Sequence, residues 1–276
     1  RNPLYLRVEN VPHFATLGER GTRLVNAGRA LNRERRIDRD AIFRLKMEAL
    51  EALHARFEGD PKFDRYEHAQ GAALTEFATY CVIAEKHGKD WRRWPAELRR
   101  PDSPGARRFR DQNDLRVHFH AWLQWLVDAQ LAVAAREIAV VNDLPIGIDV
   151  AGADAWCWQD LLAQDASVGA PPDEFSTNGQ DWGLTGFSPR AREDGGFVPF
   201  ITTLRAALRR AGGLRSDHAM GLSRLWLVPE GADPAGGAYL SYPLADLLRL
   251  LALESARHNA MVVGEDLGTV PAGFRE

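Results

Sequence analysis

The chain has 276 residues, enough to bury one large core or two smaller ones, with 45% hydrophobic and 26% charged residues. Its net charge of −3 gives no field that would single out nucleic acid or a membrane as partner. No run approaches the roughly 18 apolar residues of a transmembrane helix, and no signal-peptide pattern is present. The chain begins at Arg1 rather than Met, so a preceding segment is expected. Cys81 and Cys157 lack metal-ligand spacing and read as reduced thiols of a cytoplasmic protein.

In chain order, the first half reads as helix. "DAIFRLKMEALEALHARFEG" places Phe43, Met47, Leu50 and Phe57 at helical spacing and stops at Gly59. "ALTEFATYCVIAEKHG" repeats the pattern with Gly88 as C-cap. "DLRVHFHAWLQWLVDAQLAVAAREIA" is a longer helix with Phe119, Trp122, Leu123, Leu126 and Val133 along one stripe, read as core. His118 and His120 on it read as packing or surface residues, not metal ligands. Between the last two, "KDWRRWPAELRRPDSPGARRFRDQ" is basic and Pro/Gly-punctuated, and reads as a loop. Its arginines and two Trp do not amount to a nucleic-acid patch, because acidic residues lie nearby.

The second half changes character. "EIAVVNDLPIGIDV", "GLSRLWLVP" and "NAMVVGEDLGTVP" are short strand-like runs. Helical stretches, "GFVPFITTLRAALRRAGG" and "ADLLRLLALESARHN", separate them. Strand alternating with helix predicts parallel βαβ units, whose active sites form at strand C-termini. The residues there are Asp143, the Arg215–Asp217–His218 cluster, and Glu265 with Asp266. Two carboxylates on separate strand ends, Asp217 and Glu265, suit glycoside chemistry, one as nucleophile and one as proton donor. Arg215 lies two residues before Asp217, on the same side of the strand, where a guanidinium would keep Asp217 ionised and aligned. On spacing alone, Arg215 and Asp217 read equally well as a structural ion pair at a strand end. Asp143 reads as structural, and Asp266 as a support for the following loop.

Four stretches carry a resemblance: "NDLPIGIDVAGADAW", "VGAPPDEFSTNGQDWG", "LRSDHAMGLSRLWLVPEG" with "GAYLSYP", and "VVGEDLGTVP". They resemble the 4-α-glucanotransferases, or amylomaltases, of the α-amylase superfamily. "NPLYLRVE", "RIDRDAIFRLK" and "HGKDWRRWP" extend the likeness over the helical half. The resemblance implies an α/β fold: residues 136–276 as the central part of a catalytic (β/α)8 TIM barrel, incomplete at both ends, and 1–135 as a mainly helical inserted subdomain. It also implies a function, transfer of α-1,4-glucan segments between maltodextrins by a retaining double displacement, with no metal or cofactor. Asp217 matches the nucleophile, Glu265 the acid/base and Arg215 the residue that orients the nucleophile. His218 matches a substrate hydrogen-bonder, and Gln180 and Trp182 acceptor-side contacts, the indole stacking on a sugar ring. Without the resemblance Trp182 reads as core. Tyr239 is a further candidate for the cleft lining. Departures are Asn142, where the family usually has Gly, and Ser216, where it usually has Ile.

The family's third acid, an Asp in a His-Asp pair, has no counterpart here and is expected outside the chain. Only three strand-like segments stand out, against the eight of a closed barrel. The chain is therefore expected to be an internal piece of a larger enzyme, inactive alone. The rival readings are an α-glucan hydrolase and a non-catalytic glucan-binding module.

Overall fold

The computed structural model describes residues 1–174, 176–188 and 197–275. Phe175 of the second motif and Gly196, which opens one expected helix, lie outside the described residues. The chain divides into two compact units, residues 1–83 with 107–133, and residues 84–106 with 134–276.

The first unit is helical. It holds α1 (Gly18–Ala30), α2 (Arg39–His54) and most of α3 (Pro61–His87), α4 (Pro104–Gln112) and α5 (Asp114–Glu137). Its core gathers Leu50, Phe63, Ala78, Phe119, Trp122 and Leu123, all but removed from water. The apolar spacing in α2 and α5 explains this face. Two positions depart from the expected stripes: Phe43 and Val133 are exposed. α2 is capped by Asp38, whose side chain accepts from the Ala41 N–H, and it ends before Phe57, five residues short of Gly59. α3 starts well before the expected segment and is broken at Gly71 by a positive φ. The basic stretch expected to be a loop contains α4. Its aromatic residues face inward: Trp91 and Trp94 are buried, their indole N–H groups donating to the carbonyls of Val150 and Gly88. Asp90 takes Arg92, and Asp160 takes Arg100.

The second unit holds the short helix α6 (Ala153–Cys157) and two sheets. β1 (Val141–Leu144), β5 (Gly213–Ser216) and β8 (Met261–Gly264) pair in parallel, with β5 in the middle. Leu204 and Leu208 of α7 (Val198–Leu208) and Leu251 of α8 (Leu244–His258) pack with Leu144 and Leu214. This is the layered helix-on-sheet arrangement of βαβ units. Glu254 of α8 is 1% exposed and accepts from Arg205 of α7 at 3.0 Å and from Arg257 at 2.7 Å, tying the two helices. Asn142 reaches α7, donating to the Ala207 carbonyl at 2.5 Å.

The second sheet is antiparallel, in the order β2-β4-β3-β6-β7: β2 (Ile148–Asp149), β3 (Ala166–Ala170), β4 (Gln180–Thr185), β6 (Arg224–Pro229) and β7 (Ala238–Ser241). "GLSRLWLVP" therefore does not supply a parallel strand. It is β6, and the third parallel strand is the one that ends at Ser216. Hairpin pairing of β6 with β7 over a short connection captures it.

Candidate active site

Where β5 ends, three successive backbone N–H groups bond across to the neighbouring strand ends. That of Asp217 donates to the Leu144 carbonyl of β1 at 2.9 Å, and that of Ala219 to the Glu265 carbonyl at 2.7 Å. Between them, the N–H of His218 donates to the Glu265 carboxylate, Oε2, at 3.3 Å. In return the Glu265 N–H donates to the Ser216 carbonyl at 2.9 Å. The acidic residues after β5 and β8 thus reach one place because the ends of the parallel strands are stitched together. This is the carboxyl end of the sheet, where α/β folds place their sites.

One guanidinium organises the carboxylates. Arg215 stands in register with Asp143 on β1. Its Nη1 donates to both Asp143 oxygens, at 2.6 and 2.7 Å. Its Nη2 donates to Asp217 Oδ1 at 3.1 Å and to Glu265 Oε2 at 2.7 Å. Those two oxygens can therefore be no more than about 5.8 Å apart, the two bonds laid end to end. Retaining glycosidases hold their carboxyls about 5–5.5 Å apart and inverting ones roughly 6.5–9.5 Å. Asp143, read from sequence as structural at its strand end, is the bidentate partner of Arg215. Its participation was hidden because it depends on register between distant strands.

The electrostatics correct one expectation. Arg215 does pull the Asp217 carboxyl down, but it is outweighed. A hydrogen bond with Glu265, then burial and the Glu265 charge, raise Asp217 above the usual aspartate value. The same hydrogen bond, then the His218 N–H, lower Glu265. The two carboxyls are therefore pushed in opposite directions, Asp217 up and Glu265 down, and they titrate as a pair.

Beside the pair, the Trp182 ring meets the His218 imidazole edge-on, centroids 5.8 Å apart. Gln180 Oε1 accepts from the Trp182 indole N–H at 3.0 Å and fixes that ring. Burial lowers the His218 imidazole, with Glu265 opposing, so it favours the neutral form. Tyr239 is not brought to this cluster. It stands on β7, paired with Trp226, while the alternate residues Leu225, Leu227 and Leu240 point to the face against which Trp182 packs. Strand alternation therefore turns Tyr239 to the other face, where Arg224 lies over its ring at 4.0 Å. Asp266 pairs with Arg275. Cys81 and Cys157 are not joined in a disulfide. Among the described residues, no group of three or more His, Cys, Asp or Glu side chains could hold a metal ion, and no helix is long and apolar enough to cross a membrane.

A sequence profile of 4-alpha-glucanotransferases, glycoside hydrolase family 77, matches residues 1–276. The chain belongs to the 4-alpha-glucanotransferase family. It is 42% identical to the 4-alpha-glucanotransferase of Mycobacterium tuberculosis, over all of this chain and 40% of that protein. It is 33% identical to that of Haemophilus influenzae, over 87% of this chain and 38% of the relative. The crystal structure of amylomaltase from Corynebacterium glutamicum superposes with a TM-score of 0.85 at 33% identity, over 99% of this chain and 39% of that one. Amylomaltase from Streptococcus agalactiae, solved in complex with acarbose, shares the fold at a TM-score of 0.75 and 19% identity. The chain thus spans about 40% of the length of these curated 4-alpha-glucanotransferases.

Proposed function

We propose that the protein carrying this chain is a 4-α-glucanotransferase that moves α-1,4-glucan segments between maltodextrins in the cytoplasm. Asp217 attacks the anomeric carbon; the C1–O4 bond breaks, and the Glu265 proton goes to the leaving oxygen. In the second step Glu265 takes the proton of an acceptor 4-hydroxyl, whose oxygen displaces Asp217. Arg215 aligns the nucleophile, His218 binds the reacting sugar, and Trp182, fixed by Gln180, offers its ring to the acceptor. Tyr239 is left out of the cleft. No cofactor is required, because two carboxyls and a guanidinium supply every proton and charge in these steps.

The observation that carries this reading is the single Arg215 nitrogen bridging both carboxylates, with their oxygens at most about 5.8 Å apart. A glucan seated between them would displace the Asp217–Glu265 hydrogen bond. That removes the leading cause that raises Asp217 and lowers Glu265. Asp217 is then governed by burial and by the attraction of Arg215, and Glu265 by a sugar oxygen that accepts its proton. The parallel sheet β1-β5-β8 with α7 and α8 fits the central part of a (β/α)8 TIM barrel, residues 136–276. Residues 1–83 and 107–133 fit a helical subdomain inserted into it, while residues 84–106, expected in that subdomain, fall in the unit that holds the sheets.

Incubating the full-length protein with maltotriose tests the reading. A ladder of longer oligomers with glucose is expected. Glucose and maltose alone would make the protein a hydrolase, and retention on amylose without turnover a binding module.

A further inference from the structure

His218 has a left-handed backbone, φ 46° and ψ 64°. Among the described residues only His13, Arg210 and Asn259 share a positive φ without being glycine. Such conformations cost energy and persist where the surroundings enforce them. A left-handed residue turns the peptide planes on either side of it so that successive N–H groups converge, as in anion-binding backbone nests. Here both converge on Glu265: the His218 N–H on its carboxylate and the Ala219 N–H on its carbonyl.

We propose that the left-handed turn at His218 places a proton: its backbone N–H, rather than its imidazole, keeps Glu265 as the ionised base. This rests on the double displacement proposed above and deepens it. The charged or titratable groups facing Glu265 are Arg215, Asp217 and the His218 imidazole, with Asp143 acting through Arg215. In the glycosyl-enzyme, Asp217 is esterified and can no longer share a proton with Glu265. Arg215 and the His218 N–H then remain to hold Glu265 ionised, at the step where it must accept the proton of the acceptor hydroxyl. His218 is in this respect a positioning residue.

The test uses the full-length enzyme with 13C-labelled glutamate, the Glu265 carboxyl being assigned by its loss in Glu265→Gln. Replacing His218 by its α-hydroxy analogue turns the Asp217–His218 amide into an ester and removes the N–H while keeping the imidazole. The Glu265 titration should rise by about half a unit to one unit, the size of one net hydrogen bond. Glycosyl-enzyme should also accumulate at mildly acidic pH. His218→Gly removes the imidazole but keeps the N–H and relaxes the turn, so it should leave the titration near that of the parent. An unmoved titration in the ester, or an equal rise in His218→Gly, overturns the proposal. Should the ester variant not fold, His218→Gly still decides: a Glu265 titration near that of the parent assigns the effect to the backbone N–H, and a rise of about half a unit or more assigns it to the imidazole and overturns the proposal. If the titrations behave as expected while the parent transfers no glucan, the functional reading fails and the proton placement stands.

Discussion

At the residue scale, the site depends on how Arg215 divides its donors. Nη1 is taken by Asp143, which leaves Nη2 to span Asp217 and Glu265. Asp143→Ala frees Nη1, so the guanidinium can rotate away from the bridge. In the full-length enzyme kcat should fall about 10–100-fold, the usual cost of losing a partner that orients an active group. KM should stay within about threefold, because Asp143 touches no sugar in this scheme. A steady-state comparison on maltotriose checks both, and an unchanged kcat would remove Asp143 from the account. Asp143→Asn adds a pH signature. The Asp143 charge contributes to raising Asp217, so removing it should move the limb of the pH–kcat/KM profile that Asp217 governs toward lower pH. Half of this cluster was legible in the sequence. Arg215, Asp217 and His218 are neighbours, and spacing of two puts the first two on one side of a strand. The other half, Asp143 and the backbone grip on Glu265, depends on strand register and on a positive φ, which no local pattern announces.

At the element scale, α2 and α5 meet through two imidazoles. His54, the last residue of α2, and His118 of α5 are in hydrogen-bond contact, Nε2 to Nδ1, at 2.8 Å. Phe57, Phe119 and Trp122 surround His54. Such a contact needs one N–H and one lone pair, so it cannot survive two protons. Burial, then His118 and Arg116, lower His54 to about 4. The fold therefore favours the neutral ring, while the unfolded chain binds a proton near pH 6.5. Between those values the unfolded state holds more protons, so stability is full above about 6.5 and is lost as pH falls toward about 4. With His54 only partly buried and screened by water, about 1–2 kcal/mol is expected. Chemical denaturation at pH 7 and pH 4.5 measures it. His54→Phe should flatten the dependence, and an equally steep loss in that variant would place the acid sensitivity elsewhere. The long helices were readable because their apolar residues recur at helical spacing. The antiparallel sheet was not, because β3 and β4 are "ASVGA" and "QDWGLT", short and glycine-bearing, with a register shift between Val168 and Gly169. Their pairing comes from partners across the sheet rather than from their own propensity.

At the scale of the whole molecule, β1 and β8 form the two edges of the parallel sheet among the described residues. Val141 on β1 is 54% exposed, and Met261 and Val263 on β8 are 62% and 47% exposed. Unpaired, apolar edge strands invite other chains. Residues 1–276 expressed alone should bind an apolar dye more strongly than the full-length enzyme and should form no oligomer ladder from maltotriose. Robust turnover by the 276-residue chain would show that these strands already make a complete site.

In the proposed reaction Asp217 attacks and Glu265 moves the proton. The most direct measurement is mass spectrometry of the full-length Glu265→Gln variant after exposure to α-glucosyl fluoride, whose leaving group needs little acid help. Glu265→Gln keeps the nucleophile but cannot activate an acceptor, so one glucosyl group should be found on the peptide containing Asp217. Added azide, which needs no base, should release it as the α-azide. Asp217→Asn should carry no label. A label on another residue, or a labelled Asp217→Asn, would contradict the assignment.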